Sequence, residues 1–217
     1  VPDIFDEVEE ELRADRARAM LQRYGGVMVG VAVAVVVAAG GWEAWRWHEA
    51  KRVASVAQTY LAGMQTADTQ KGTGREAAVR NFATVAAEGS AGYRTLARLR
   101  AAGLKADAGD LAGASALWEA VAGDGSADPL LRDVARLQWA LHNIDKGDPA
   151  AVQARLASLA SPENPWHALA AEGQALLALR QGKTDAARET LKSLAHDVTT
   201  PPNVRRRAEG LLAQLGA

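Results

Sequence analysis

The sequence predicts an all-α protein in which one N-terminal transmembrane helix precedes a solenoid of helical repeats. Three observations carry that prediction. Residues Tyr24 to Trp42 form an uncharged run of nineteen. A small–large–apolar triplet recurs four times from residue 78 onward at a nearly constant period. Alanine fills much of the rest, between short turns of Gly, Asp, Ser and Pro.

Composition narrows the function classes. The 217 residues are 24% charged and 48% hydrophobic with a net charge of −1, enough for one α-helical domain and an appendage. The near-zero balance argues against a nucleic-acid partner, because neutralising phosphates takes a clustered basic surface. The absence of cysteine removes disulfide frameworks, cysteine-based zinc sites, iron–sulfur clusters and thiol nucleophiles together. It suits oxidising and reducing compartments equally.

At the N-terminus, Ile4, Phe5, Val8 and Leu12 recur at helical spacing among acids and arginines, with Asp3 as a candidate cap. This is either a solvated, weakly amphipathic helix or a docking helix for a partner. The uncharged run follows. As a helix its nineteen residues would be ~28 Å long at ~1.5 Å per residue, about one hydrocarbon core. Lipid forces a backbone to satisfy its own hydrogen bonds, which overrides the middling helix propensity of valine. Arg23 and Tyr24 flank one end, while Trp42, Trp45 and Trp47 make an interfacial belt at the other.

A cleaved signal peptide is the rival reading, since Ala38, Gly40 and their neighbours are small. The first 23 residues oppose it: they hold seven acids against four arginines, whereas a signal peptide starts short and positive. Orientation is nearly balanced, with Arg13, Arg16, Arg18 and Arg23 before the run and Arg46, Lys51 and Arg52 after it. Within the span Gly26, Gly30, Ala34 and Ala38 recur every four residues. Such a small-residue stripe lets a second membrane helix, or a second copy of the chain in a homodimer, approach closely.

No Pro or Gly interrupts Trp42 to Leu61, and Val53, Val56, Ala57, Tyr60, Leu61 and Met64 form an apolar stripe. The membrane helix should therefore run on as the first helix of a soluble domain. The expected division is 1–23, 24–42 and 43–217.

In that domain the turns Gly109-Asp110-Leu111, Gly147-Asp148-Pro149 and Gly182-Lys183-Thr184 each open a helix. The triplets are Ala78/Phe82/Val85, Ala114/Trp118/Val121, Val152/Leu156/Leu159 and Ala187/Leu191/Leu194, with first members 36, 38 and 35 residues apart. Ala102, Ala140 and Ala175 stand twelve residues before the last three triplets, each on the preceding helix. Small residues at both positions let paired helices approach, and the large one fills the space between pairs. That is the physical logic of a tetratricopeptide repeat, whose period is ~34 residues. Pro129, Pro165 and Pro201 fall near unit ends, where a helix must stop. Asn203 to Leu215 should cap the stack.

Chemistry-bearing patterns are missing. His48, His142, His167 and His196 show no i, i+4 pair and no H-E-x-x-H. His48-Glu49 reads as an interfacial pair and His196-Asp197 as a helix terminus. Lys71-Gly72-Thr73-Gly74 reads as a flexible helix connection, and Arg205-Arg206-Arg207 as a solvated face of the capping helix. The expectation is a non-enzymatic protein with no metal, no cofactor and no catalytic residue. The candidate binding feature is a stripe of Leu130, Val134, Leu137, Leu141 and Ile144 on one helix, continued by Leu169 and Leu176. Its alternatives are an apolar groove for extended or helical segments, or ordinary core.

The order of parts resembles a known family. An acidic start, Glu7-Val8-Glu9-Glu10-Glu11-Leu12-Arg13, leads through Asp15-Arg16 to Gln22-Arg23-Tyr24-Gly25, one span with Trp beyond it, and a degenerate repeat array. This is similar to the ancillary subunit of the SecYEG translocon, a bacterial inner-membrane family with a tetratricopeptide-like periplasmic domain. The resemblance implies a cytoplasmic N-terminus and a periplasmic C-terminal domain. It also implies a scaffold beside the protein-export channel that works with periplasmic chaperones and emerging unfolded chains. The family has no catalytic motif to transfer. A tetratricopeptide accessory subunit of another inner-membrane complex, respiratory or envelope-building, is the alternative.

Overall fold

The computed structural model describes the backbone of residues 4–69 and 73–216, and the side chains of 18, 20, 22–68 and 74–216. The expected Asp3 cap, the apolar spacing of Ile4, Phe5, Val8 and Leu12, and Lys71-Gly72 lie outside the described side chains. Among the described residues there are nine helices and no strand. They are α1 (Ile4–Thr69), α2 (Thr73–Glu88), α3 (Ala91–Asp107), α4 (Leu111–Ala122), α5 (Pro129–Asn143), α6 (Pro149–Ala157), α7 (His167–Arg180), α8 (Thr184–His196) and α9 (Pro202–Gln214). Thr73 and Gly74, expected in a connection, already belong to α2. The chain divides into two compact units, Val1–Ala54 and Ser55–Ala217.

The described residues of the first unit are helical throughout. Its most apolar 18-residue window has a mean hydropathy of 2.0 and none of it is buried, so this is not a core helix. By length and composition α1 suffices to cross a membrane. Trp42, Trp45 and Trp47 are all exposed. Lys51 Nζ sits 3.6 Å from the centroid of the Trp47 ring. Glu49 is held chiefly by Arg52 at 2.8 Å, one helical turn away on the same face, with His48 adding a weaker electrostatic attraction.

The second unit is a stack of helix pairs. Every member of the four sequence triplets is buried, as are Ala102, Ala140 and Ala175. The register follows from volume. Alanine or valine admits the neighbouring backbone, and Phe82, Trp118, Leu156 or Leu191 fills the space so opened. Four cores result, each shared by three successive helices: α1–α3, α3–α5, α5–α7 and α7–α9. Leu159 is buried although α6 has already ended at Ala157, so the third triplet closes in the following turn. In the first core Val56 is buried with Tyr60 and Met64 beside it, whereas Val53 and Leu61 are exposed. The expected six-residue stripe is therefore narrower, and α2, α3 and Leu117 of α4 supply facing side chains.

The turns close in two ways. Gly109 (φ 85°) and Gly182 (φ 72°) take the left-handed conformation that ends a helix and that glycine adopts without strain. Gly147 needs space instead, because a Cβ there would lie 2.7 Å from the Asn143 carbonyl oxygen. Asp110 and Asp148 then cap α4 and α6 by accepting from the amides of Gly113, Ala150 and Ala151. The prolines start helices and do not stop them. Pro129 occupies a first-turn position of α5, Pro201 is the N-cap of α9 with Pro202 at its first turn, where a missing N–H would be unpaired anyway, and Pro165 precedes α7.

Curvature follows from which helices meet. α3 touches α5, α5 touches α7 and α7 touches α9, whereas α4, α6 and α8 do not touch one another among the described residues. The first helices of successive pairs thus form an inner face and the second helices an outer one. The capping helix carries a correction. Arg207 reaches back 35 residues to the buried Glu172 on α7, its Nε donating at 2.6 Å. Arg205 donates to the carbonyls of Val198 and Thr200. Two of the three arginines expected on a solvated face are fasteners, and Arg206 alone is exposed without a partner.

A candidate protein-interaction face

The inner face is built by the first helices of the pairs, and clefts open along it among the described residues, three of which matter here. One, about 350 Å³, lies where Met64 and Asp68 of α1 meet Leu99 and Asp107 of α3. The next, about 450 Å³, lies between Tyr60, Leu96 and Gly103 on one side and Val134, Gln138 and His142 on the other, with Trp118 at its floor. The third, about 420 Å³, is walled by Leu141, Ile144, Leu176 and Leu179 with Asp145 and Arg180 at its rim. Apolar and polar residues share the walls: Arg100 and Gln138 stand within α3 and α5, while Asp107, Asp145 and Arg180 stand at helix ends.

The seven stripe residues do not share one environment. Leu137 is core, 2% exposed, and belongs to no cleft wall. Ile144 is buried as well but shows an edge to the third cleft, with Leu141 and Leu176. Val134 lines the second cleft. Leu169 packs half-buried against two adjoining cores, while Leu130, 49% exposed, lies at the start of α5. Sequence reasoning missed Tyr60, Leu96, Gly103 and His142. A glycine in the middle of a 17-residue helix was the available signal for Gly103. On α1, Gly26, Gly30, Ala34 and Ala38 are exposed, and a Cβ added at Gly26 or Gly30 would meet nothing within 4 Å.

The polar chemistry of this unit is spent on fastening. The ring of His142 lies 4.7 Å from that of Trp118, and its Nδ1 is 2.9 Å from the Gln138 carbonyl. His167 and His196 likewise bond backbone carbonyls of Asn164 and Lys192. Asp197 ends α8 and accepts from the hydroxyl and amide of Thr199, which holds its carboxyl below the usual range. Arginines tie successive repeats: Arg155 pairs with Glu119 at 3.0 Å while its guanidinium lies 3.6 Å over Trp139, and Arg180 donates to the carbonyls of Ile144 and Gly147. Among the described residues no three His, Asp or Glu side chains converge as a metal site. The geometry offers a shaped surface of mixed apolar and charged character.

Stacked helix pairs with a groove-bearing inner face define a class, the helical-repeat interaction scaffolds. The chain belongs to the tetratricopeptide repeat-like domain family, whose profile matches residues 18–203. No curated protein and no solved structure matches it. Membership supports a role in protein–protein interaction, and folds of this kind are typically non-enzymatic scaffolds.

Proposed function

We propose that the protein is a non-enzymatic, single-pass scaffold of the bacterial inner membrane, with residues 24–42 spanning the bilayer and a tetratricopeptide-like domain beyond it. The observation that carries this reading is the pairing, in one chain, of a wholly exposed apolar helix with a repeat solenoid. Exposed valines along more than a dozen residues are unfavourable in water and favourable in lipid. The Trp42, Trp45 and Trp47 belt suits the membrane–water interface. The acidic N-terminal segment favours a retained anchor over a cleaved signal.

In the finer reading the N-terminus is cytoplasmic and the domain periplasmic. There the protein serves as an ancillary subunit of the SecYEG channel, holding chaperones or emerging chains near the exit. That assignment rests on the resemblance of residues 4–25 and on the order of parts. The stripe of Gly26, Gly30, Ala34 and Ala38 is the surface through which the span would meet a channel helix or a second copy of the chain.

Topology is the first test. Ala160, exposed in a turn, is the site for a single cysteine in this cysteine-free chain. Ala160→Cys should react with a membrane-impermeant maleimide in intact spheroplasts. Labelling only after lysis would reverse the orientation, and recovery of the protein without membranes would sink the anchor itself. Crosslinking in intact membranes, read by mass spectrometry, should recover translocon subunits. Recovery of a respiratory or envelope-assembly complex in their place would move the scaffold to that assembly.

A further inference from the structure

We propose that the Trp47–Lys51 side of α1, just past the membrane span, binds the phosphate of an anionic phospholipid headgroup. This rests on the reading of residues 24–42 as a span and adds the chemistry of the lipid that the anchor selects. The depth of one ammonium and the division of charge around the helix carry it.

In a helix the Cα–Cβ bonds tilt toward the N-terminus, so side chains just past Trp42 lean back toward the bilayer. Lys51 does so. Counted from Trp42 at ~1.5 Å per residue its backbone stands ~13 Å beyond the span, outside a headgroup layer ~5–7 Å deep. Its ammonium nevertheless lies 3.6 Å from the centroid of the Trp47 ring, one turn nearer the bilayer. Trp47 stands only ~7.5 Å beyond Trp42, and its own side chain leans the same way. An exposed lysine that could extend into water is thus held at the level of the lipid phosphates. The ring attracts the cation without neutralising it. An ammonium has three donors, so N–H groups remain for an oxygen acceptor.

Charge is divided unequally around the same turns. Glu43, Arg46, Glu49 and Arg52 alternate in sign every three residues, so each arginine stands one turn from a carboxylate. Glu43 lies 4.0 Å from Arg46, and Glu49 lies 2.8 Å from Arg52 with His48 also attracting it. Lys51 is outside this ladder. The residues three and four before it are His48 and Trp47, the two after it are Ala54 and Ser55, and among the described residues no carboxylate pairs with it. Three cations against two carboxylates therefore leave one surplus positive charge, and it is the one folded back toward the bilayer. Below the Trp47 ring the same side carries Gly40 and Ala44, both exposed, and a Cβ added at Gly40 would meet nothing within 4 Å. That leaves room for the glycerol and upper acyl chains of a lipid whose phosphate meets Lys51. A zwitterionic headgroup brings its own ammonium to that phosphate. An anionic headgroup leaves the charge to Lys51, so the surplus cation selects it.

The test uses the full chain in phosphatidylcholine vesicles with a trace of lipid spin-labelled on its acyl chain, either phosphatidylglycerol or phosphatidylcholine. The motionally restricted fraction of the paramagnetic resonance spectrum reports lipid held against the helix. The parent should prefer phosphatidylglycerol about fivefold, the increment of one basic residue at a membrane surface. Lys51→Gln should bring that preference close to one, while Lys51→Arg should keep most of it. Arg46→Gln removes the same charge from the ladder side and should change the preference by less than about twofold. Both positions are exposed on the helix, so the three variants should melt as the parent does. Equal losses from Arg46→Gln and Lys51→Gln would reduce the site to diffuse attraction and overturn it. Restricted lipid with no headgroup preference in the parent would overturn it too, leaving the span intact. Absence of restricted lipid of either kind would instead strike the span reading, and the site with it.

Discussion

Asp124 concentrates several interactions on one carboxylate. It accepts from the hydroxyl and the backbone amide of Ser126, which fix the turn between α4 and α5, and it pairs with Arg98 at 3.1 Å and Arg94 at 3.8 Å on α3. The Ser126 hydrogen bonds, aided by the two guanidiniums, hold its carboxyl below the ordinary range. A depressed folded-state pKa means the unfolded chain binds the proton more readily. The stabilisation is therefore complete above the unfolded value of ~3.9 and is lost as pH falls through the lower folded one. Asp124→Asn should lower the melting temperature at neutral pH, with the gap from the parent closing below about pH 4. A gap that stays constant through that range would mean the charge contributes nothing. Local turn chemistry of this kind was partly legible: Gly-Asp pairs announced two helix starts, though not that the aspartates cap them, and Arg94 and Arg98, earlier in the chain on α3, carried no signal.

At the level of elements, the triplets were readable because a helix pair needs a small residue where backbones approach and a large one beside it. Trp118, Leu156 and Leu191 met that need wherever the period placed them. The α5 stripe was not resolvable in the same way. A first helix of a pair touches its own partner, the preceding second helix and two neighbouring first helices, so apolar residues belong on most of its circumference. Periodicity then cannot separate Leu137, in the core, from Val134, on a cleft. The capping helix shows the same blindness to distant partners. Arg207 looked solvated until Glu172, only 6% exposed, was found beneath it. The ion pair holds the guanidinium more firmly protonated, chiefly through its hydrogen bond to Glu172. Arg207→Ala would leave a buried carboxylate uncompensated, a penalty of about 3–5 kcal/mol for a fully enclosed pair. Because nearly half of the Arg207 side chain is exposed, water screens the pair and about 1–3 kcal/mol is expected. Chemical denaturation of Arg207→Ala beside Arg206→Ala measures it, and equal, negligible losses would show that α9 docks through its apolar residues alone.

Over the whole molecule, the four cores form a line, each joined to the next by one shared helix, α3, α5 or α7. Stability in such a line is a sum of repeat and nearest-neighbour contributions, not a property of one central core. Trp118→Ala removes the largest side chain of the second core, 2% exposed in the parent, for a cost of about 3–5 kcal/mol. Glu119→Ala, next to it but exposed, removes only the surface pair with Arg155 and should cost at most about 1 kcal/mol. The distribution of the damage is the sharper test. Amide exchange in Trp118→Ala should accelerate in α3, α4 and α5, which share that core, and stay close to the parent rate in α8 and α9, two cores away. The clefts between α1 and α5 would loosen with it, whereas the Glu172–Arg207 fastening would persist. Uniform acceleration from α3 to α9 would instead mean that the stack opens as one cooperative body, and the additive account of its stability would have to be abandoned.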